Sequence, residues 1–197
     1  MVDKYGTGQD PGCYPNTSIL INSLNIKDEN DLEIAERDIT TLSAKEVGFQ
    51  PPPYNFDYLC YIHEKLFQEL YPWAGQIRTV DISKGTTHFC NIKYIQKEAD
   101  KLFNKFSERD YFQILDRKDL IPAISEFYGD LNMIHPFREG NGRTQRIFFE
   151  HVIANMGYEI YWAPIEKEEW ITANIAAVVC DYKPLELILE KSLGASN

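Results

Sequence analysis

Between Ile134 and Arg146 the chain reads IHPFREGNGRTQR, and several side chains suited to handling phosphate gather in this one stretch. The imidazole of His135 is able to take a proton from an attacking hydroxyl. Pro136 disfavours helical geometry at the residue before it, so a helix leading into the segment should end at His135. Gly140, Asn141 and Gly142 form a cluster that tolerates positive φ. Such a turn aims successive backbone N–H groups into one concavity, an anion-binding nest. A helix starting near Gly142 would add its positive end to the same spot. Arg143 and Arg146, three positions apart, then leave the first turns of that helix on one side. Two guanidiniums, a nest and a helix terminus describe a polyphosphate site. Glu139 is a carboxylate where phosphate is expected, and it would repel that ligand unless a cation lay between them. One carboxylate with phosphate oxygens and water is the usual setting of Mg²⁺. Each part alone is ordinary: a loop histidine, a glycine turn, a solvated arginine face. Their coincidence within thirteen residues is what points to phosphate chemistry.

The flanking sequence supplies elements to hold such a segment. Leu120, Ile124, Phe127, Leu131 and Ile134 step by four, three, four and three, a helical stripe facing a core, with Pro122 placed in its first turn. Phe148, Phe149, Val152, Ile153 and Met156 repeat the pattern after the segment, and Gly157 ends it. Upstream, 28–43 reads as a helix opening on acidic residues, and Pro51-Pro52-Pro53 as a non-helical linker. Phe56, Leu59, Ile62, Leu66 and Leu70 form a further helical stripe closed by Pro72. Residues 94–106, 166–180 and 184–193 read as further helices. The stretch from Gly75 to Asn91 changes character. Ile77, Thr79, Val80, Ile82, Thr86 and Thr87 favour extended chain, and Lys84-Gly85 offers a turn, so a β-hairpin is expected. The fold class is therefore all-α: a helical bundle with one β-hairpin. Residues 1–54 are expected to form an N-terminal arm and helix, and 55–197 the core of a single structural domain.

Composition bounds the partners. The 197 residues carry a formal net charge of −10, with 44% apolar and 13% aromatic residues. That is enough apolar material for a packed core. The acidity speaks against a general nucleic-acid binder, which needs a basic face. The polar start MVDKYGTGQDPG has no apolar signal stretch, and the longest apolar run, Ile175 to Cys180, is far too short to span a bilayer. No membrane association and a cytoplasmic location are expected. Cys13, Cys60, Cys90 and Cys180 are scattered without a C-x-x-C pair, so reduced thiols are expected rather than zinc or a disulfide framework.

His135-Pro136-Phe137-Arg138-Glu139-Gly140-Asn141-Gly142-Arg143, with Arg146, resembles the Fic motif HPFx[DE]GNGRxxR at every position. Trp73-Ala74-Gly75-Gln76-Ile77-Arg78 looks like the approach to the Fic flap hairpin, and the arm with Asp10-Pro11 and Tyr14-Pro15 is similar to stand-alone bacterial Fic proteins. The resemblance implies a Fic fold with the hairpin as a flap over the site. It also implies transfer of AMP from ATP to a Tyr, Thr or Ser hydroxyl of a target protein. Mapped here, His135 is the general base. Glu139 holds Mg²⁺. Gly140, Asn141 and Gly142 cradle the phosphates, and Arg143 and Arg146 grip the β/γ end. Phe137 packs beneath the loop. The flap segment Thr79, Val80, Asp81, Ile82, Ser83, Lys84, Gly85, Thr86, Thr87 and His88 would pair with the target's main chain, with Lys84 and His88 as candidate target contacts.

Many Fic proteins are restrained by a helix carrying [ST]-x-x-x-E-[GN], whose Glu meets the second motif arginine. No copy occurs in this sequence. The resemblance then implies that any inhibitor is a separate small antitoxin engaging Arg146, and that targets include type II topoisomerase subunits. Two rival readings stand beside AMP transfer. One is another transfer reaction, with a different nucleotide or as a Doc-like kinase, although Doc-like motifs carry Lys where this chain has Gly142. The other is a nucleotide-binding module without catalysis, against which His135 and Glu139 argue.

Overall fold

The structure, a computed structural model, describes residues 10–162 and 165–194. The first nine residues of the expected arm and the last three of the tail lie outside the described residues. Seven α-helices and one small hairpin are present among them: α1 (Glu29–Glu46), α2 (Phe56–Phe67), β1 (Ser83–Lys84), β2 (Thr87–His88), α3 (Ile95–Glu108), α4 (Arg117–Ile134), α5 (Asn141–Asn155), α6 (Lys167–Ala177) and α7 (Lys183–Ser192). A short 3-10 turn, Asp110–Phe112, links α3 to α4. The all-α bundle with a hairpin is thus the observed architecture. No helix of the described residues is long and apolar enough to cross a membrane, and all four cysteines are free.

Local chemistry explains where the helices begin. Asp28 caps α1, its carboxylate accepting from the amides of Asn30 at 2.9 Å and Asp31 at 3.1 Å. Asn55 caps α2 through the Tyr58 amide, and Asp116 caps α4 through that of Asp119. The cap at Asp116 starts α4 earlier than its apolar stripe suggests, so Pro122 lies in the second turn rather than the first. Its nitrogen cannot donate to the carbonyl of Lys118, an exposed residue whose backbone water can reach. Helix α2 also ends before Pro72, at Phe67, and Leu70 and Tyr71 continue as a tight turn bonded to the Phe67 carbonyl.

The buried faces are the periodic ones. Leu120, Ile124, Phe127, Leu131 and Ile134 of α4 share one buried core with Phe148, Phe149, Val152 and Ile153 of α5 and Leu59, Ile62 and Leu66 of α2. Phe127 touches the rings of Phe103, Phe106, Phe112, Phe148 and Phe149, so α4 is the central strut. Its first residue is anchored too: Arg117 donates to the carbonyls of Glu190 in the last turn of α7 and of Leu193 and Gly194 just beyond it. A rigid α4 followed at once by a rigid α5 leaves the intervening loop, 135–140, few ways to run. Helix α1 lies directly against α2 and reaches α5 through the Arg143–Glu36 pair.

The hairpin is shorter than the β-rich sequence suggests. Ser83 pairs with His88 and Lys84 with Thr87, and Gly85 takes a φ of 61° at the turn, as a two-residue hairpin loop requires. Residues 79 and 80 bend rather than extend the ladder, because the polar groups at the hairpin base are taken up by Arg78 and Asp81 instead.

Candidate active site

The loop between α4 and α5 is built by helix termination on both sides. His135 is the C-cap of α4 and sits in the left-handed region at φ 46°, ψ 61°. Its ring lies flat on Phe89, with centroids 3.8 Å apart and planes 17° from parallel. Nδ1 stands 3.0 Å from the Asn132 carbonyl. A carbonyl only accepts, so Nδ1 carries the hydrogen and Nε2 carries the lone pair of the neutral ring. That is the nitrogen a general base needs.

Asn141 closes the loop from within. Its Oδ1 accepts from the Phe137 amide at 2.9 Å and its Nδ2 donates to the Phe137 carbonyl at 2.8 Å. The Asn141 side chain is therefore spent on loop shape, and its contribution to an anion is its backbone N–H. Gly140 is the N-cap of α5 at φ 78°, and no side chain caps that helix. The first N–H groups of a helix have no intrahelical acceptor, so the α5 start is the nest that the glycine cluster suggests. Gly140 also faces a wall: a Cβ there would stand 2.2 Å from the Phe67 ring. At Gly142 a Cβ would meet nothing closer than the Arg146 guanidinium, at 3.9 Å.

The charged residues gather at this helix start. Glu139 is half-buried; its Oε1 accepts from the Gly140 amide at 3.0 Å and lies 4.0 Å from Arg143 Nη2. Arg143 packs on the Phe67 ring and reaches α1, where it donates to Glu36 and to Thr40 Oγ1. The same Glu36 carboxylate accepts from Tyr71 at 2.5 Å, and burial together with that carboxylate pushes the Tyr71 hydroxyl pKa upward. Arg146 opens with Arg37, Thr40, Thr41 and Arg143 onto a cavity of about 340 Å³ between α1 and α5. So the structure brings together His135, Glu139, Gly140, Asn141, Gly142, Arg143 and Arg146 at one helix junction. It adds a carboxylate, Glu36, that the motif did not include.

No group of three or more His, Cys, Asp or Glu side chains that would hold a metal occurs among the described residues. Glu139 is the carboxylate of the loop itself, with a nest beside it. That suits a cation held jointly by one carboxylate and substrate phosphates, as Mg²⁺ commonly is, and not a protein-only cage.

The flap residues divide. Ile82 is buried. Asp81 accepts from the Asn91 side chain at 2.7 Å and the Ile92 amide at 2.9 Å, so it shapes the hairpin base. Thr79, Lys84, Gly85, Thr86 and His88 are exposed, while Val80, Ser83 and Thr87 are partly covered. The hairpin is joined to the loop by Arg78, whose side chain is fully buried. Its guanidinium donates to the carbonyls of His135 at 2.9 Å, Val80 at 2.7 Å and Cys90, and its own amide donates to Pro136 at 2.9 Å. The roles of Arg78, His63, Phe89 and Glu36 are not marked by the motif and emerge only from these contacts. A histidine on the apolar face of a helix is the one signal that marked His63. Burial pushes the His63 pKa down to about 4, against a smaller upward pull from its bond to the Glu139 carbonyl.

Comparison with known proteins places this arrangement. Residues 53–153 match the Fic/DOC family. Over the whole chain and 98% of the relative it is 39% identical to "Probable protein adenylyltransferase Fic" of Escherichia coli. A further relative, "Probable protein adenylyltransferase y4lH" of Sinorhizobium fredii, is 36% identical over 92% of this chain and 95% of its own. The N-terminal Fic domain of a Bartonella quintana effector protein superposes with a TM-score of 0.85 at 29% identity, covering 94% of this chain and 92% of that one. BepC of Bartonella tribocorum, solved with bound AMPPNP, gives 0.84 at 26% identity, covering 94% and 97%. With a helical fold, a hairpin beside the loop and the motif lying across the α4–α5 junction, the chain belongs to the Fic/DOC family.

Proposed function

We propose that this protein is an adenylyltransferase that moves AMP from ATP to a hydroxyl of a target protein and releases pyrophosphate. The observation that carries the reading is the contact that orients His135: the Asn132 carbonyl, 3.0 Å from Nδ1, calls for the hydrogen there and leaves Nε2 as the basic nitrogen, in the loop that leads directly into the α5 start. A binding module has no use for a base fixed in this way. The full-length likeness to named adenylyltransferases supports the same reaction, and the AMPPNP-bound relative supports ATP as the substrate.

In the reaction the target's Tyr, Thr or Ser oxygen attacks the α-phosphorus while His135 Nε2 takes the hydroxyl proton. The bond from the α-phosphorus to the bridging oxygen breaks, and that electron pair leaves with pyrophosphate. Gly140 gives the cradle its turn, the amides of Asn141 and Gly142 at the α5 start would meet phosphate oxygens, and Arg143 and Arg146 would offset charge building on the leaving group. Glu139 would hold Mg²⁺ beside the phosphates, which neutralises their charge and orients them. Phe89 and the Asn132 carbonyl keep the His135 ring from turning, so the geometry is prepared before substrate arrives. The exposed hairpin edge, Lys84 to His88, would take up the target segment by main-chain pairing.

The partner readings extend this. A small antitoxin would reach Arg146 through the cavity between α1 and α5, and a bacterial type II topoisomerase subunit is the target class the family suggests. Co-purification from the natively expressed operon tests the first. The reaction itself is tested with ATP labelled at the α or the γ position, using a bacterial lysate as acceptor. Label is expected on protein only from the α position, and loss of His135 to Ala is expected to abolish it while nucleotide binding persists. Transfer from the γ position alone would establish a kinase instead.

A further inference from the structure

His63 lies in the middle of α2, its side chain wholly buried, and no step above uses it. Both ring nitrogens are engaged, and their partners assign the hydrogen. The Gly75 amide donates to Nδ1 at 2.8 Å. Nδ1 therefore bears the lone pair, and Nε2 carries the hydrogen that it donates to the Glu139 carbonyl at 3.0 Å. The ring is also packed in a stack. Phe137 lies 3.9 Å away at 18°, and Phe67 4.7 Å away at 26°. These neighbours belong to different parts of the site. Phe137 is in the catalytic loop, Gly75 is in the turn leading to the hairpin, and Phe67 is the wall against Gly140.

We propose that His63 is a positioning residue that fixes the backbone of Glu139 relative to the hairpin approach, and so sets where the Glu139 carboxylate meets a phosphate-bound cation. The proposal rests on the reading of Glu139 given above. Three observations carry it. The Glu139 carbonyl is held by His63, while the Glu139 carboxylate is held by the next amide, that of Gly140. Gly140 cannot shift toward α2, because Phe67 occupies the space a Cβ would take. An apolar ring of equal size would stack on Phe137 as well, but would leave a buried donor and a buried acceptor unpaired. A donor on one side of a flat ring and an acceptor on the other is what joins the loop to the hairpin turn.

The two halves of the ring are separable by substitution. The amide of His63→Asn falls near the position of Nδ1 and keeps an acceptor for Gly75. The amide of His63→Gln reaches toward Nε2 and keeps a donor for Glu139. Binding of AMPPNP is measured by calorimetry at stepped Mg²⁺ concentrations, together with thermal unfolding of the unliganded proteins. Both variants are expected to lose stability to a similar degree. His63→Asn is expected to need roughly tenfold more Mg²⁺ for the same AMPPNP affinity, the equivalent of one lost hydrogen bond, while His63→Gln stays close to wild type. Equal Mg²⁺ dependence in the two variants would overturn the proposal and leave His63 as core packing. A measurement on the unaltered protein stands independently: nitrogen-15 NMR should find His63 protonated at Nε2, and an Nδ1–H tautomer also overturns it. Wild-type AMPPNP binding indifferent to Mg²⁺ would instead sink the metal reading of Glu139, and it would be seen before any variant is made.

Discussion

Replacing Arg78 by Met keeps most of the volume of a fully buried stem and removes only the guanidinium. That group satisfies the carbonyls of His135 and Val80 at 2.9 and 2.7 Å and that of Cys90, with a weaker bond to Ile134 at 3.5 Å. Asp81, 3.6 Å away, balances its charge, and burial lowers its pKa from the ordinary arginine value. Bonds from charged donors contribute about 1.5–3 kcal/mol each, and leaving one acceptor buried costs about 1–3 kcal/mol. Three good bonds suggest a gross loss of roughly 5 kcal/mol or more. The desolvation cost of burying a guanidinium, which the variant no longer bears, offsets part of it. The net expectation is about 3–4 kcal/mol, out of a total stability on the order of 5–15 kcal/mol. At roughly 2–4 °C per kcal/mol for a domain this size, Tm should fall by about 6–16 °C. Urea unfolding followed by circular dichroism measures the first quantity and calorimetry the second. Because two of the lost bonds hold the C-terminal end of α4 and His135, AMP transfer below the new Tm should fall mainly in kcat. Arg78→Lys should recover only part of both. A Met variant within 1 kcal/mol of wild type, by the same scale, would refute the claim that Arg78 ties the hairpin to the catalytic loop.

The two glycines should behave oppositely. Gly140→Ala places a Cβ 2.2 Å from Phe67 at a φ of 78° and should cost at least about 3 kcal/mol in urea unfolding, whereas Gly142→Ala should fold normally and weaken AMPPNP binding. Glu36→Gln removes the charge facing Arg143 while keeping an acceptor for Tyr71. ATP affinity should rise by about fivefold, on the order of 1 kcal/mol, and a weaker affinity would show that Glu36 organises Arg143 rather than competing for it. His63 and His151 are both held below the ordinary histidine pKa by burial. The unfolded chain then binds more protons than the native one below pH 6.5, so stability should drop as pH falls from about 6.5 toward 4. The His63 part amounts to roughly 3 kcal/mol and should be missing from the acid limb of a His63→Gln urea series.

Periodicity and local chemistry were enough to read the helices, because the side chains that specify them lie within a few residues of one another. The stripe from Leu120 to Ile134 is buried as its spacing requires, and Asp28 caps a helix where acidic residues open it. The hairpin was legible in position but not in length. Its β-favouring residues Ile77 to Ile82 are drawn instead into the bonds around Arg78 and the buried core. The loop itself was readable for the same reason as the helices. Helix end, glycine cluster and helix start follow one another within the motif, so the local backbone determines the nest.

What lay beyond the sequence is what joins distant segments. Glu36 and Arg143 are 107 positions apart, and no spacing rule connects them. A search for an acidic residue in a fixed pattern finds none, yet α1 delivers one to the first motif arginine by packing on α2. His63 and Glu139 meet across 76 positions, and Arg78 and His135 across 57. The chemistry of the site is carried by one short motif, because nests, helix ends and neighbouring side chains are local physics. The tautomer of its base, the bracing of its carboxylate and the charge already seated on its arginine depend on which helix faces come together, and only the packed core decides that.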